Sequence, residues 1–210
     1  ALTDPDGIVY DDFVSHLYKG SPYEYESGGD PSEIYKISYD EFVKFYKDHY
    51  HPSNAYIYFY GDLDIDNYLD YLDKEYLSNY EYKDFDYTIN VADTSYDKTI
   101  EASYPASKTY EDSDYLVYGF LTDKKMDTKY YLTLLILSST LFNMDSSKIR
   151  NQIQEEIDPE YFYGRVGYGS RSSIILQAQK ADGDKLDRFV EIIEEGLKEA
   201  SKGINKETLK

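Results

Sequence analysis

The sequence has no cysteine and no tryptophan, two methionines, and three histidines, His16, His49 and His51. Without cysteine there is no disulfide framework, no thiolate zinc site and no cysteine nucleophile. The composition fits a cytoplasmic bacterial protein better than a secreted one. Basic residues are scarce: 22 Lys and Arg stand against 41 Asp and Glu, a net charge of −19. A field of that sign repels nucleic acid and anionic membranes, so neither is expected as a partner. An acidic solvated surface accounts for it, and basic peptides are what it attracts. Long apolar runs are also missing. The longest, Tyr130 to Phe142, is interrupted by Thr133, Ser138, Ser139 and Thr140, and falls short of a membrane span. No basic stretch leads into an apolar one at the start, as a secretory leader would require.

Two further motifs are absent, the phosphate-binding Gly-x-x-x-x-Gly-Lys loop and the Gly-x-Ser-x-Gly nucleophile elbow. Gly164-Arg165-Val166-Gly167-Tyr168-Gly169 is glycine-rich but lies between two strand candidates, where glycine signals twist or a bulge. Asp62, Asp64 and Asp66 alternate, without the loop glycine and distal glutamate of a calcium loop.

The 210 residues have room for one large domain or two small ones. The chain opens at Ala1 and closes at Lys210 inside a polar helical segment, so a fragment is expected. Tyrosine is abundant, at 27 residues, and Tyr23, Tyr25, Tyr71, Tyr76 and Tyr80 lie beside acidic residues. Such tyrosines serve as core-edge residues with the hydroxyl in water; a tyrosine-lined peptide or sugar groove is the alternative.

Gly7–Leu17 has mixed periodicity and is read as a short strand or a helix start. Ser21–Pro31 is a loop by composition. Ser38-Tyr39-Asp40-Glu41 is a capping box, followed by Phe42, Phe45, Tyr46 and His49 at helical spacing, and Pro52 ends that helix. Asn54–Tyr60 is an aromatic strand signal bounded by Gly61-Asp62. Asp64 caps a helix with Ile65, Tyr68, Leu69 and Leu72 on one face. Ser78–Thr94 is polar and weakly periodic. After it come strand candidates Lys98–Tyr104 and Tyr115–Leu121, a long helix over Asp127–Phe142, and a shorter one over Ser147–Ile157. Strands Tyr161–Tyr168 and Ser173–Gln179 follow, then a helix capped by Asp182 or Asp184. The pattern predicts an α+β fold, a mixed or antiparallel sheet with helices packed on one face. The expected domains are residues 1–80, the latter part of a first unit; 81–97, a linker; and 98–210, a second unit.

Several local runs stand in a distinctive order: Tyr25-Glu26-Ser27-Gly28-Gly29-Asp30-Pro31, then Ile34, Ser38-Tyr39-Asp40-Glu41-Phe42, Tyr50-His51-Pro52-Ser53-Asn54-Ala55 and Tyr58-Phe59-Tyr60-Gly61-Asp62. Together they resemble the presequence-protease branch of the M16 (insulinase, pitrilysin) metallopeptidases. Ser146-Ser147-Lys148-Ile149-Arg150 extends the likeness into the following unit. The resemblance implies two M16-type α+β units, the first incomplete, and structural motif roles for Ser27, Gly28, Gly29, Asp30, Pro31, His51, Pro52, Ser53, Asn54, Gly61 and Asp62.

Members of that family hold one zinc through His-x-x-Glu-His on a helix plus a distal glutamate. This chain has no such motif. His49 and His51 are two apart and cannot both face one metal from a helix. Gly7-Ile8-Val9-Tyr10-Asp11-Asp12-Phe13 is similar to the distal-ligand segment, with Asp12 on the ligand position but one methylene shorter than glutamate. The segment from Val14 to Glu26 is shorter than the family's. The resemblance therefore implies no catalytic residue and no cofactor in this chain, with zinc in a parent enzyme, and with a peptide substrate and the remaining M16 domains as partners. Two other readings stand beside it: a complete inactive M16-like binding or assembly subunit, and an unrelated tyrosine-rich acidic module for peptides or glycans. Arg150 is read as an intramolecular ion-pair partner of the acidic surface.

Overall fold

The computed structural model describes residues 5–90, 99–104, 114–122, 124, 127–169 and 171–204. Along them run α1 (Pro5–Leu17), α2 (Pro31–Ile34), α3 (Tyr39–His49), α4 (Ile65–Glu75), β1 (Asp114–Leu121), α5 (Thr128–Ser138), α6 (Lys148–Glu156), β2 (Tyr161–Gly167), β3 (Ser173–Ala181) and α7 (Leu186–Ala200). By contact they form two units, Ser27–Thr88, and Ala1–Glu26 with Ile89–Lys210.

The larger unit is α+β. Its antiparallel sheet has the order β1-β3-β2. Side chains alternate across a strand. Leu116, Phe162, Ile174, Leu176 and Ala178 share a core with Leu134 and Phe142 and with Ile149, Ile153, Phe189, Ile192 and Ile193 of α6 and α7. Each large apolar side chain removed from water here contributes about 1.5–3 kcal/mol. Helices α5, α6 and α7 cover this face, as the sequence pattern predicts. Part of the other face is covered by α1, which settles the mixed signal of Gly7–Leu17 as helix. There the Tyr18 hydroxyl meets Ser173 Oγ at 2.7 Å, and the Arg165 guanidinium lies 4.9 Å from the Tyr10 ring centre.

The predicted caps form. Asp127 accepts from Tyr130 N at 2.8 Å and Ser147 from Arg150 N at 3.1 Å. Asp182, not Asp184, accepts from the next turn, capping a 3₁₀ turn ahead of α7. The long helix expected over Asp127–Phe142 stops being α-helical at Ser138 and continues as one π turn, Ser139–Asn143. That wider turn buries Phe142 and delivers Asn143 to the outer edge of β2. The Asn143 amide donates to Gly164 O and accepts from Gly164 N, both at 2.7 Å. Arg150 Nη1 donates to Phe162 O at 3.1 Å. Side chains thus occupy the edge where a further strand would pair.

In Ser27–Thr88 the capping box forms as written: Ser38 N donates to Glu41 Oε2 at 2.9 Å and Glu41 N to Ser38 Oγ at 3.3 Å. Asp64 Oδ1 accepts from Asn67 N at 3.3 Å to start α4. Two strand expectations are corrected. Asn54 closes the 3₁₀ turn Pro52–Asn54, and residues 55–60 and 99–104 are in no ladder; Lys98 lies outside the described residues. Aromatic, β-branched sequence favours a strand only where a neighbouring strand supplies hydrogen bonds, and no ladder with a described strand forms along these segments.

Candidate functional site

A cavity of about 780 Å³ lies within the larger unit, lined by α1, residues 99–104, β1 and the start of α7. Phe13, Val117, Phe120 and Val190 give it apolar walls, and Asp12, Glu101, Asp187 and Glu191 line it with carboxylates. No lysine or arginine is among its described lining residues.

Asp12 is therefore in a cavity, half-buried on α1. His16, one turn on, has Nδ1 2.9 Å from the Asp12 carbonyl oxygen and 3.4 Å from Asp12 Oδ2. The Tyr104 hydroxyl is hydrogen-bonded to the Asp12 carboxylate, which raises the Tyr104 pKa above the ordinary phenol value. This donor set does not fit zinc. One carboxylate and one imidazole are short of the three protein ligands a catalytic zinc takes, and His16 Nδ1 already faces a carbonyl. Among the described residues, no group of three His, Cys, Asp or Glu side chains is placed to hold a metal.

The motif residues of Ser27–Thr88 build turns and caps. After Ser27 and Gly28, Gly29 adopts φ +76°, a left-handed conformation that glycine supplies without strain. Asp30 Oδ1 then accepts from Ser32 N at 2.7 Å, with Pro31 at the first helical position of α2. His51 precedes a 3₁₀ turn, Pro52–Asn54, and its Nδ1 accepts from Ser53 N at 3.2 Å. Asn54 Nδ2 donates to His49 O at 2.9 Å, closing the end of α3. Ser53 holds the following chain: its Oγ accepts from Lys83 N at 3.2 Å and its carbonyl from the Tyr87 hydroxyl at 3.0 Å. Lys83 and Tyr87 of the polar segment after Ser78 are thus tied to the turn that follows α3. Gly61 has φ +139° and leads through Asp62 to α4. The His49 ring stacks on Phe45 at 4.0 Å, with Nδ1 2.9 Å from Phe45 O.

Arg150 combines a 3.9 Å approach to Asp145 with its bond to Phe162 O, so its main partner is backbone. Sequence reasoning missed Arg188, whose Nε and Nη2 grip Glu156 at 2.6 and 3.1 Å. That fork draws the Glu156 pKa down to about 2 and ties α7 to the end of α6. It also missed Tyr118, whose hydroxyl donates to Glu194 Oε1 at 3.1 Å and whose pKa burial pushes up to about 12. No local motif announces either pairing, since each joins residues far apart in sequence.

Residues 36–210 match the family model described as Peptidase M16 inactive domain. Protein HypA of Clostridium perfringens (strain 13 / Type A) is 28% identical over the whole of this chain, which spans 22% of that protein. The mitochondrial presequence protease of Drosophila melanogaster is 39% identical over 39% of this chain and 8% of its own length. The chain thus spans less than a quarter of these relatives. The crystal structure of an M16-like peptidase from Alicyclobacillus acidocaldarius superposes with a TM-score of 0.65 at 17% identity, covering 97% of this chain and 48% of that one; at that identity the likeness speaks to fold. With most of its length matched by the family model, the chain belongs to the M16 peptidase inactive-domain family.

Proposed function

We propose that this chain is a non-catalytic scaffold portion of an insulinase-family zinc-dependent endopeptidase that degrades peptides. In this reading residues 1–80 descend from the latter part of a first M16-like unit, 81–97 link, and 98–210 form the second, non-catalytic unit. Ala1–Glu26 nevertheless groups by contact with the second. Asp12 stands at the position of the distal ligand without serving as one. Zinc is held by residues of the parent enzyme other than those described here. A cytoplasmic bacterial setting fits the Clostridium relative, which this chain matches end to end.

One observation carries the proposal. No residue of Ser27–Thr88 is buried. Phe42 and Phe45 of α3 are 62% and 58% exposed, and Leu69 of α4 is 52% exposed. Amphipathic helices are stable when their apolar stripe packs on another layer. These stripes, with the ladderless Tyr56–Tyr60 beside them in sequence, form a surface for the remaining M16 domains of the parent. A complete binding subunit would instead satisfy its own helices.

Amide hydrogen exchange tests this. In the chain alone, α3 and α4 should exchange orders of magnitude faster than β3 and α7, because opening them disrupts no buried packing. Within the full parent enzyme the same helices should become as protected as β3. Equal protection of α3, α4 and β3 in the chain alone would overturn the proposal.

A further inference from the structure

The face of the sheet that meets α1 is shaped around two of its rings. Gly119 of β1 and Gly167 of β2 lie on that face, opposite Ile175 and Ser173 of β3, and Gly169 follows β2. A Cβ at Gly119 would lie 2.7 Å from Phe13 Cζ, and one at Gly169 would lie 2.7 Å from Tyr18 Cε1. At Gly167 it would meet the Tyr18 hydroxyl and Ser173 Oγ. None of the three has a positive φ, so close approach calls for glycine here, not backbone shape. Phe13 and Tyr18 are thus knobs seated in holes of the sheet, and Tyr18 is 5% exposed. Its hydroxyl meets Ser173 Oγ at 2.7 Å. None of these contacts belongs to a strand ladder, so the segment can leave its seat without unzipping the sheet. The covalent link runs elsewhere. The chain leaves this unit after Glu26 and rejoins it at Ile89. The exit, Ser27-Gly28-Gly29, is exposed, and Gly29 is left-handed.

We infer that residues 5–26 form an exchangeable arm, and that the partner its seat fits is a second copy of this chain: two copies trade arms about the glycine pair Gly28-Gly29. An exchanged arm makes the contacts of a returned one, with Phe13 in the Gly119 hole, Tyr18 on Gly167 and Gly169, and Tyr10 against Arg165. Swapping costs little when the interface is the same in both forms. A seat cut to two rings of this sequence selects this sequence. Within one chain the tethered arm docks at high effective concentration, so the closed form prevails in dilute solution. The net charge of −19 holds two copies apart, so exchange increases as salt screens it. The inference concerns this chain by itself and does not rest on the scaffold reading, so either can fail while the other stands.

Two full-length variants test it. One has a damaged arm, Phe13→Ala with Tyr18→Ala; the other has a filled seat, Gly169→Val, where the three nearest atoms to a Cβ all belong to Tyr18. Neither change touches the core on the opposite face of the sheet, so both should keep the circular dichroism of the unaltered chain. By light scattering each should be monomeric alone. Mixed, they should form a one-to-one dimer, because the sound arm of the second meets the empty seat of the first with no tethered competitor. Its dissociation constant should be at least about tenfold below that of the unaltered chain with itself, and lower again at high salt. Two damaged chains would then associate more readily than two intact ones. Isotope-filtered NOEs on a concentrated mixture of labelled and unlabelled unaltered chains give a reading free of variants, and decide the matter if either variant does not fold. The Phe13 and Tyr18 rings of one copy should meet Gly119 and Gly169 of the other. No association in the mixture of folded variants overturns the inference, as does finding those NOEs within single copies alone. Association that persists when both partners carry Phe13→Ala with Tyr18→Ala places the interface elsewhere and overturns it as well.

Discussion

Replacing Phe189 with alanine should cost about 3–5 kcal/mol, the range for removing a fully buried aromatic side chain. Phe189 is 0% exposed. Its ring meets Phe162 edge-on, 6.1 Å away at 85°, a geometry that contributes beyond buried area. The two rings join α7 to β2, so the cavity would sit between the two layers that define the larger unit. A domain has about 5–15 kcal/mol of stability, so this one change should take a large share of it. Urea unfolding followed by far-ultraviolet circular dichroism should show a lower midpoint and an unchanged slope. A loss under about 1 kcal/mol would mean that the sheet and α7 are not packed as described.

The second large effect is expected from Gly164→Val. A Cβ at this position would lie 2.8 Å from Leu176 Cδ2, 2.8 Å from Phe142 Cβ and 2.9 Å from Phe142 Cδ2. Leu176 and Phe142 are 0% and 1% exposed, so neither can swing into solvent. Overpacking a closed core costs about 1–3 kcal/mol, and valine adds two methyl groups beyond the clashing carbon. Gly164 also holds Asn143 through both its backbone groups, so a shift of β2 would loosen the π turn and uncover the strand edge. Gly164→Val should therefore unfold at lower urea and show concentration-dependent association. Gly203→Val serves as the comparison for bulk alone, since nothing lies within 4 Å of a Cβ there, though its positive φ adds local strain. If Gly164→Val is no worse than that variant, the contact between the π turn and β2 is wrong.

Much of this architecture is legible in the sequence, and the exceptions share a cause. Ser38-x-x-Glu41, Asp64, Asp127 and Ser147 announce helix starts because a cap is satisfied within one turn of chain. The strand signals of Tyr161–Tyr168 and Ser173–Gln179, either side of Gly169-Ser170, are local in the same way. Asn54–Tyr60 has the composition of a strand, but pairing depends on a neighbour that its own residues do not supply. The packing of α1 on the sheet, the Asn143 plug on β2 and the Arg188–Glu156 fork all join distant positions, so no window of sequence contains them. The cavity around Asp12 is of this kind as well: α1, residues 99–104, β1 and α7 meet there only once the sheet has formed. The ordered motifs from Ser27 to Asp62 fared differently. Singly they are turn chemistry, such as the left-handed Gly29 and the Asp30 cap; in sequence they point to the M16 family, and the family model spans 36–210. That match removes the reading of the chain as an unrelated tyrosine-rich module.

The central proposal is that this chain is a non-catalytic part of a larger peptidase. It is tested most directly by zinc titration in a calorimeter, run beside cleavage of a quenched-fluorescent peptide. The donor set around Asp12, one carboxylate and one imidazole already facing a carbonyl, predicts no stoichiometric zinc binding and no cleavage that a chelator abolishes. Tight one-to-one zinc with chelator-sensitive cleavage would contradict the account, and would mean that His16 and Asp12 complete a metal site with a ligand outside the described residues.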